Sequence, residues 1–77
     1  MRVRTTYYGP TDTRGSRIVV HFDDRQRTVS YDYAAVDPHE SAVCEALRHA
    51  GLEFGPVTPT GRTSRGYRFL VAVGGAA

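Results

Sequence analysis

The chain has 77 residues, a single cysteine, and a net charge of +2 from ten basic and eight acidic residues. A chain of this length forms one small domain with a modest core, and one cysteine excludes a disulfide framework. The net charge is too small to indicate nonspecific nucleic-acid binding, and no apolar run has the length of a membrane span.

Three segments at the start of the chain are predicted to be strands, because apolar and polar residues alternate along them. They cover residues 2–8, 17–23 and 27–33 and are separated by turn-forming residues. In the third, Val29, Tyr31 and Tyr33 are predicted to share the buried face. Short connections between them favour an antiparallel meander.

A helix is predicted to follow, with a clear start and a clear end. Asp37 suits the N-cap, Pro38 suits the first helical position, and Glu40 falls where a capping box places an acid. Gly51 suits a left-handed C-terminal cap. Between them an apolar stripe at helical spacing is predicted to face the core: Ala42, Val43, Ala46, Leu47 and Ala50.

Glycine and proline interrupt the segment 52–65, which is predicted to be an irregular loop, and residues 66–73 alternate as a last strand. The fold class is therefore α+β, in the order β-β-β-α-β, with a four-stranded, mostly antiparallel sheet and one helix packed on one face. Residues 1–73 form a single domain and 74–77 a flexible tail. The loop is long enough to return to the top of the sheet, which favours a last strand antiparallel to the first; a parallel last strand is the alternative.

One helix covers only one face of such a sheet, so the other face is predicted to be open. It mixes cationic and apolar side chains and extends to Asp32 in the third strand. This composition suits an oligomer or partner interface, and a simply solvated face is the alternative. The candidate interface residues are Arg4, Tyr8, Val19, His21, Arg68 and Leu70.

Two loops share a composition that suits anion binding: GPTDTRGSR at 9–17 and GPVTPTGRTSR at 55–65. Glycine lets backbone amides approach a phosphate, hydroxyls donate hydrogen bonds, and arginine supplies a charged fork. Neither loop has the Walker spacing, and ordinary turn formation is the alternative for each. With a histidine at the start of the helix, the candidate ligand-binding residues are Thr11, Thr13, Arg14, Ser16, Arg17, His39, Arg62, Thr63 and Arg65.

His39 lies on the apolar side of the predicted helix near these loops, where a packed structural histidine is the alternative to a ligand-binding one. No arrangement of Ser, Cys, His and acidic residues indicates nucleophilic catalysis, and no Cys and His spacing indicates a metal site. We therefore expect a protein that is not an enzyme and that uses no metal or cofactor.

The segments TTYYGPTDTRGSRI, SYDYA, HESAVCEALRHAGL and GYRFLVAV together resemble a group of small phage- and prophage-encoded proteins. Proteins of that group begin with a segment similar to T-x-Y-x-G-P-T-x-T-R-G-S-R and continue with a short helix that holds a histidine. Asp12 stands where the group usually has asparagine. The resemblance implies a phage accessory protein that acts against a host defence.

These observations predict a small phage accessory protein that sequesters a phosphate-bearing ligand, such as a nucleotide-derived host signal. Because a chain this small supports only a shallow pocket and a marginal core, we expect it to act as a homo-oligomer. The lone cysteine and the lack of a signal peptide favour the cytoplasm, which is the host cytoplasm for a phage protein. The alternatives are a protein–protein inhibitor of a host defence complex and a nucleic-acid-binding accessory protein.

Overall fold

One helix and five strands make up residues 1–73, the part of the chain that this computed structural model describes. The tail predicted at 74–77 lies outside the described residues. The elements, in chain order, are β1 (Arg2–Tyr8), β2 (Arg17–Phe22), β3 (Arg25–Ser30), α1 (Pro38–His49), β4 (Phe54–Arg62) and β5 (Tyr67–Val73).

The strands form one sheet in the order β3-β2-β1-β5-β4, and every neighbouring pair is antiparallel. The α+β class is therefore confirmed. So is the direction of the last strand, since Val3 of β1 pairs with Phe69 of β5 in antiparallel register. The sheet has five strands rather than the predicted four.

The additional strand is β4, which occupies most of the segment predicted to be an irregular loop. Pro56 and Pro59 hide its strand pattern, because proline lacks the N–H that a central strand needs. The structure tolerates both prolines because β4 is an edge strand with register shifts at Phe54/Val57 and Pro59/Gly61. Its pairing with β5 carries the chain back to the top of the sheet.

The core lies between the sheet and α1, as the apolar patterns predict. Ala42, Val43, Ala46 and Leu47 of α1 are buried. They pack against apolar side chains that alternate along the strands, listed here: Val3, Ile18, Val20, Phe22, Val29, Phe69 and Val71.

Both helix caps have the predicted geometry. The Asp37 side chain accepts hydrogen bonds from the backbone N–H groups of His39 and Glu40, each at 3.1 Å. At the other end Gly51 has φ of 75°, and the N–H of Leu52 donates to the carbonyl of Leu47. These caps fix where α1 begins, and so hold His39 in its first turn.

The third strand is shorter than predicted, and two residues of its predicted end lie elsewhere. β3 stops at Ser30. Tyr33, predicted to be buried, is 79% exposed. Asp32, predicted on the open face, instead accepts a hydrogen bond from the N–H of Ala34 in the loop before α1. This side-chain bond favours a turn over a continued strand.

Within residues 1–73 there is no helix both long enough and apolar enough to cross a membrane.

Candidate ligand-binding site

The turn between β4 and β5 lies against the end of β1. The N–H of Thr63 bonds to the carbonyl of Gly66 at 2.9 Å, which closes the turn. The N–H of Tyr7 donates to the carbonyl of Arg65 at 2.8 Å, which ties the turn to β1. Any side chain at Gly66 would collide with the Thr5 backbone carbonyl, so only glycine permits this close approach.

A buried polar contact holds the first turn of α1 against the same end of β1. The Thr5 side chain is completely buried, and its Oγ1 lies 2.8 Å from Nδ1 of His39. Thr5 Oγ1 also accepts a hydrogen bond from the N–H of Tyr67 at 3.1 Å. Because Nδ1 is engaged with Thr5, a ligand would meet Nε2 of His39.

Burial lowers the pKa of His39 below its ordinary value, while the carboxylate of Asp37 acts in the opposite direction. The neutral imidazole is therefore the main form at pH 7. A neutral ring can pack edge-on against Tyr67, whose ring centroid lies 4.8 Å away.

These elements surround a cavity of about 350 Å³, which we call the end pocket. Aromatic rings, two arginines, one threonine and one serine line it. The full set is Tyr7, Tyr31, His39, Arg62, Thr63, Ser64, Arg65, Gly66 and Tyr67.

The aromatic wall of the end pocket consists of two ring pairs, Tyr7 with Tyr31 and His39 with Tyr67. The rings of Tyr7 and Tyr31 meet edge to face, with centroids 5.4 Å apart. Across the pocket the Arg62 guanidinium lies over the Tyr67 ring, 5.6 Å from its centroid. A ligand could therefore contact a tyrosine ring while its charged end reaches the arginines.

The first predicted loop, residues 9–17, reaches the same end of the sheet, but several of its polar groups bond to other groups of the protein. Thr11 Oγ1 accepts a hydrogen bond from the N–H of Arg14 at 3.1 Å. Ser16 Oγ accepts a hydrogen bond from the Tyr33 hydroxyl at 2.9 Å and lies 3.2 Å from the Tyr7 hydroxyl. Much of this loop therefore forms its own turn, and Thr13 is exposed within it.

The arginines of that loop line a second cavity, of about 360 Å³, which we call the loop groove. Its residues are Arg14, Gly15, Ser16, Arg17, Thr28 and Ser30. The Arg17 guanidinium lies 5.3 Å from the centroid of the Tyr8 ring. Its Nη1 atom is buried and has no hydrogen-bond partner among residues 1–73.

Seven of the nine predicted ligand-binding residues are divided between two places, and the other two, Thr11 and Thr13, line neither cavity. His39, Arg62, Thr63 and Arg65 share the end pocket, whereas Arg14, Ser16 and Arg17 share the loop groove. Tyr7 connects the two, because its N–H bonds to one loop and its hydroxyl to the other.

Sequence reasoning missed the tyrosines of the end pocket. Tyr7, Tyr31 and Tyr67 alternate with polar residues in their segments, a pattern that predicts packing on the core side of a sheet. The available signal was that each lies at a strand end, where a phenol ring can bury its body and expose its hydroxyl.

The six predicted interface residues do share one face of the sheet, the face away from α1. Register pairs Arg4 with His21 on one side and with Arg68 on the other, and pairs Tyr8 with Arg17. The exposed fraction of Leu70 is 51%. We call this surface the open face. In residues 1–73 no group of three or more His, Cys, Asp or Glu side chains could hold a metal ion.

Comparisons of the chain with protein-family models, curated proteins and solved structures find no match.

Proposed function

We propose that this protein is a small, non-enzymatic binding protein that holds a phosphate-bearing ligand, such as a nucleotide, in the end pocket. The observation that carries the proposal is that tyrosine rings and arginines line the same cavity of about 350 Å³. Ligand sites of small molecules begin at about this volume.

The two halves of a nucleotide match the two kinds of side chain in the end pocket. A base or sugar would lie against Tyr7, Tyr31 and Tyr67. A phosphate would accept hydrogen bonds from Arg62 and Arg65, since guanidinium forks bind phosphate in a bidentate manner. Both arginines are exposed, so a phosphate can reach them from solvent.

Binding without turnover suits the state of His39. Its Nδ1 bonds to Thr5, whose hydroxyl is fully buried and cannot reach a ligand. The pair therefore fixes the wall of the pocket. The neutral ring offers Nε2 for recognition. The protein would act by sequestering its ligand, one ligand molecule for each pocket.

The resemblance to small phage proteins supports a biological role for such binding. We place the protein in the host cytoplasm, where it would sequester a nucleotide-derived immune signal. A homo-oligomer would help, because the end pocket is open on the side of Arg62 and Arg65 and a second copy could cover it.

A second candidate function is inhibition of a host defence protein through the open face. The observation in its favour is that the six predicted interface residues share this face and that Leu70 is half exposed there.

Isothermal titration calorimetry against cyclic and linear nucleotides tests the proposed function. We expect micromolar or tighter binding to at least one nucleotide. Arg62→Ala and Arg65→Ala should each weaken it by roughly 10- to 100-fold, because hydrogen bonds to charged groups are the strong ones.

Arg48→Ala is the matched control, since it removes the same charge from an exposed position on α1, away from the end pocket. The nucleotide affinity of Arg48→Ala should equal that of the unmodified protein. Absence of heat with every nucleotide at micromolar ligand would overturn the proposal, as would equal losses in Arg48→Ala and Arg65→Ala.

A further inference from the structure

The fold separates the charges of this chain. Within residues 1–73 all eight acidic residues lie in the helix, turns and loops, and none lies in a strand. Most arginines, by contrast, lie in strands: Arg2, Arg4, Arg17, Arg25, Arg27, Arg62 and Arg68. A chain with a small net charge therefore presents a strongly basic sheet.

Four of these arginines lie on the open face. Arg2 and Arg4 alternate along β1, Arg68 of β5 pairs with Arg4, and Arg17 of β2 pairs with Tyr8. Arg4 also pairs with His21 on its other side. Like charges directly opposite one another destabilise a sheet, so this arrangement favours a bound anion.

Three of these arginines line a cavity of about 730 Å³ on this face, and Arg17 lies outside it, in the loop groove. Arg2, Arg4, His21, Arg68 and Leu70 contribute to its lining, and one carboxylate, Asp23 in the β2–β3 turn, lies there too. The cavity is about twice the volume of the end pocket and shares none of its residues.

The cations follow the direction of β1 instead of converging on one point. Side chains two residues apart on a strand are about 7 Å apart, and the stretch from Arg2 to Tyr8 spans about 20 Å. A single small anion would contact only part of this row of cationic side chains. A polymer with one negative charge per repeat would engage all of it.

A second copy of the chain is a poor occupant for the open face. A two-fold dimer through this surface would place the arginines of one copy against those of the other. Juxtaposed like charges cost several kcal/mol and suppress such contacts. An apolar partner fits no better, because exposed Leu70 is flanked by Arg2 and Arg68.

We propose that the open face binds the sugar–phosphate backbone of single-stranded nucleic acid, independently of the end pocket. Arg2, Arg4, Arg17 and Arg68 contact successive phosphates. Tyr8 is already covered by the Arg17 guanidinium, so base stacking contributes little. Binding is therefore electrostatic and tolerant of sequence.

Fluorescence anisotropy with labelled oligothymidylate and oligouridylate of about twelve nucleotides tests this proposal. Three or four phosphate contacts predict a weakening of roughly 20- to 50-fold between about 50 and 200 mM salt. The affinities for the two oligonucleotides show whether the open face prefers a DNA or an RNA backbone.

Arg4→Gln and Arg68→Gln should each reduce the salt slope by about 0.7 and weaken binding about eightfold at 50 mM salt. Arg4→Lys keeps the charge and should keep the slope. Arg48→Gln, on the helix, is the matched control and should change neither value. Thermal unfolding of each variant confirms that it is folded.

Several results would overturn the proposal. These are no binding at low salt, binding without salt dependence, and a loss in Arg48→Gln equal to that in Arg4→Gln. Loss of oligonucleotide binding in Arg65→Ala with retention in Arg4→Gln would assign the binding to the end pocket instead. Polyglutamate of equal charge that binds as tightly would identify an acidic protein segment as the occupant.

Discussion

Thr5 connects three elements through one hydroxyl group. Its side chain is fully buried on β1, and its Oγ1 contacts Nδ1 of His39 on α1 and the N–H of Tyr67 on β5. A buried hydroxyl with good partners stabilises a fold, and its removal leaves those partners unsatisfied. Thr5 therefore positions the aromatic wall of the end pocket without touching its ligand.

We predict that Thr5→Val lowers the free energy of unfolding by about 1–3 kcal/mol, because it keeps the shape and removes the hydrogen bonds. Urea unfolding measures this change. Thr6→Val is the matched control on the same strand, at a half-buried position on the open face, and should stay within about 0.5 kcal/mol. Equal stability of the two variants would contradict this role of Thr5.

A second prediction at this scale concerns the pH dependence of stability. Burial lowers the pKa of His39, and burial followed by Arg4 lowers that of His21. Below the ordinary histidine pKa of about 6.5, the unfolded chain binds more protons than the folded one. Stability is therefore greatest above that pH and falls as the pH drops through 6.5 toward the folded values.

Chemical unfolding at pH 7.5 and pH 5.5 measures this dependence. His39→Gln should reduce the difference between the two conditions, because the group that titrates differently in the two states is gone. His49→Gln, in the exposed last turn of α1, is the matched control for the loss of an imidazole. A steeper dependence in His39→Gln would contradict the assignment.

At the scale of elements, the β4–β5 hairpin delivers the arginines of the end pocket. Arg62 and Tyr67 pair at its end, and the turn between them lies on β1. Gly66 makes this possible, since its lack of a side chain allows contact with the Thr5 carbonyl. The pocket therefore depends on how closely two strands approach.

Gly66→Ala should destabilise the fold by about 3 kcal/mol or more, because backbone has to move away from the new methyl group. It should also weaken nucleotide binding by displacing Arg65. Gly61→Ala is the matched control in the same hairpin, since a Cβ there meets nothing within 4 Å. The denaturant midpoints of Gly66→Ala and Gly61→Ala measure the difference. Equal midpoints would show that Gly66 does not closely approach the Thr5 carbonyl.

Much of the element structure could be predicted from the sequence. The caps of α1 and the buried faces of β1, β2 and β5 follow from local residue types and spacing. β4 could not be predicted, because Pro56 and Pro59 remove the local strand signal. Its extended conformation depends on pairing with β5, which is distant from any local pattern. The tyrosines of the candidate site were missed for another reason, since their strand alternation predicts core packing and only the fold brings them to one end of the sheet.

At the scale of the whole molecule, the end pocket and the open face lie on opposite sides of one sheet. His39 and Tyr67 are on the side of α1, whereas Arg4 and Arg68 are on the other. Because the two sites share no lining residue, substitutions in one should leave affinity at the other unchanged.

Oligomeric state is the remaining prediction at this scale. A chain of 8.5 kDa has a small core, which favours self-association. Native mass spectrometry of protein from a bacterial host should show a multiple of that mass, with any bound nucleotide as an added mass. Arg4→Gln should not change the subunit number. A dimer through the open face would place arginines against arginines, so we expect the subunits to associate through another surface. A mass of 8.5 kDa at every concentration would contradict the prediction.

Local residue patterns were enough to predict the fold class, the helix with both caps, and the core-facing side of β1, β2 and β5. Those features depend on neighbours a few residues apart, so local spacing is sufficient to specify them. Three features follow only from the folded chain: 54–62 is a strand, Tyr7 contacts both arginine loops, and no acidic residue within 1–73 lies in a strand. Each of these depends on pairing between distant segments, and a net charge of +2 says nothing of where the charges lie.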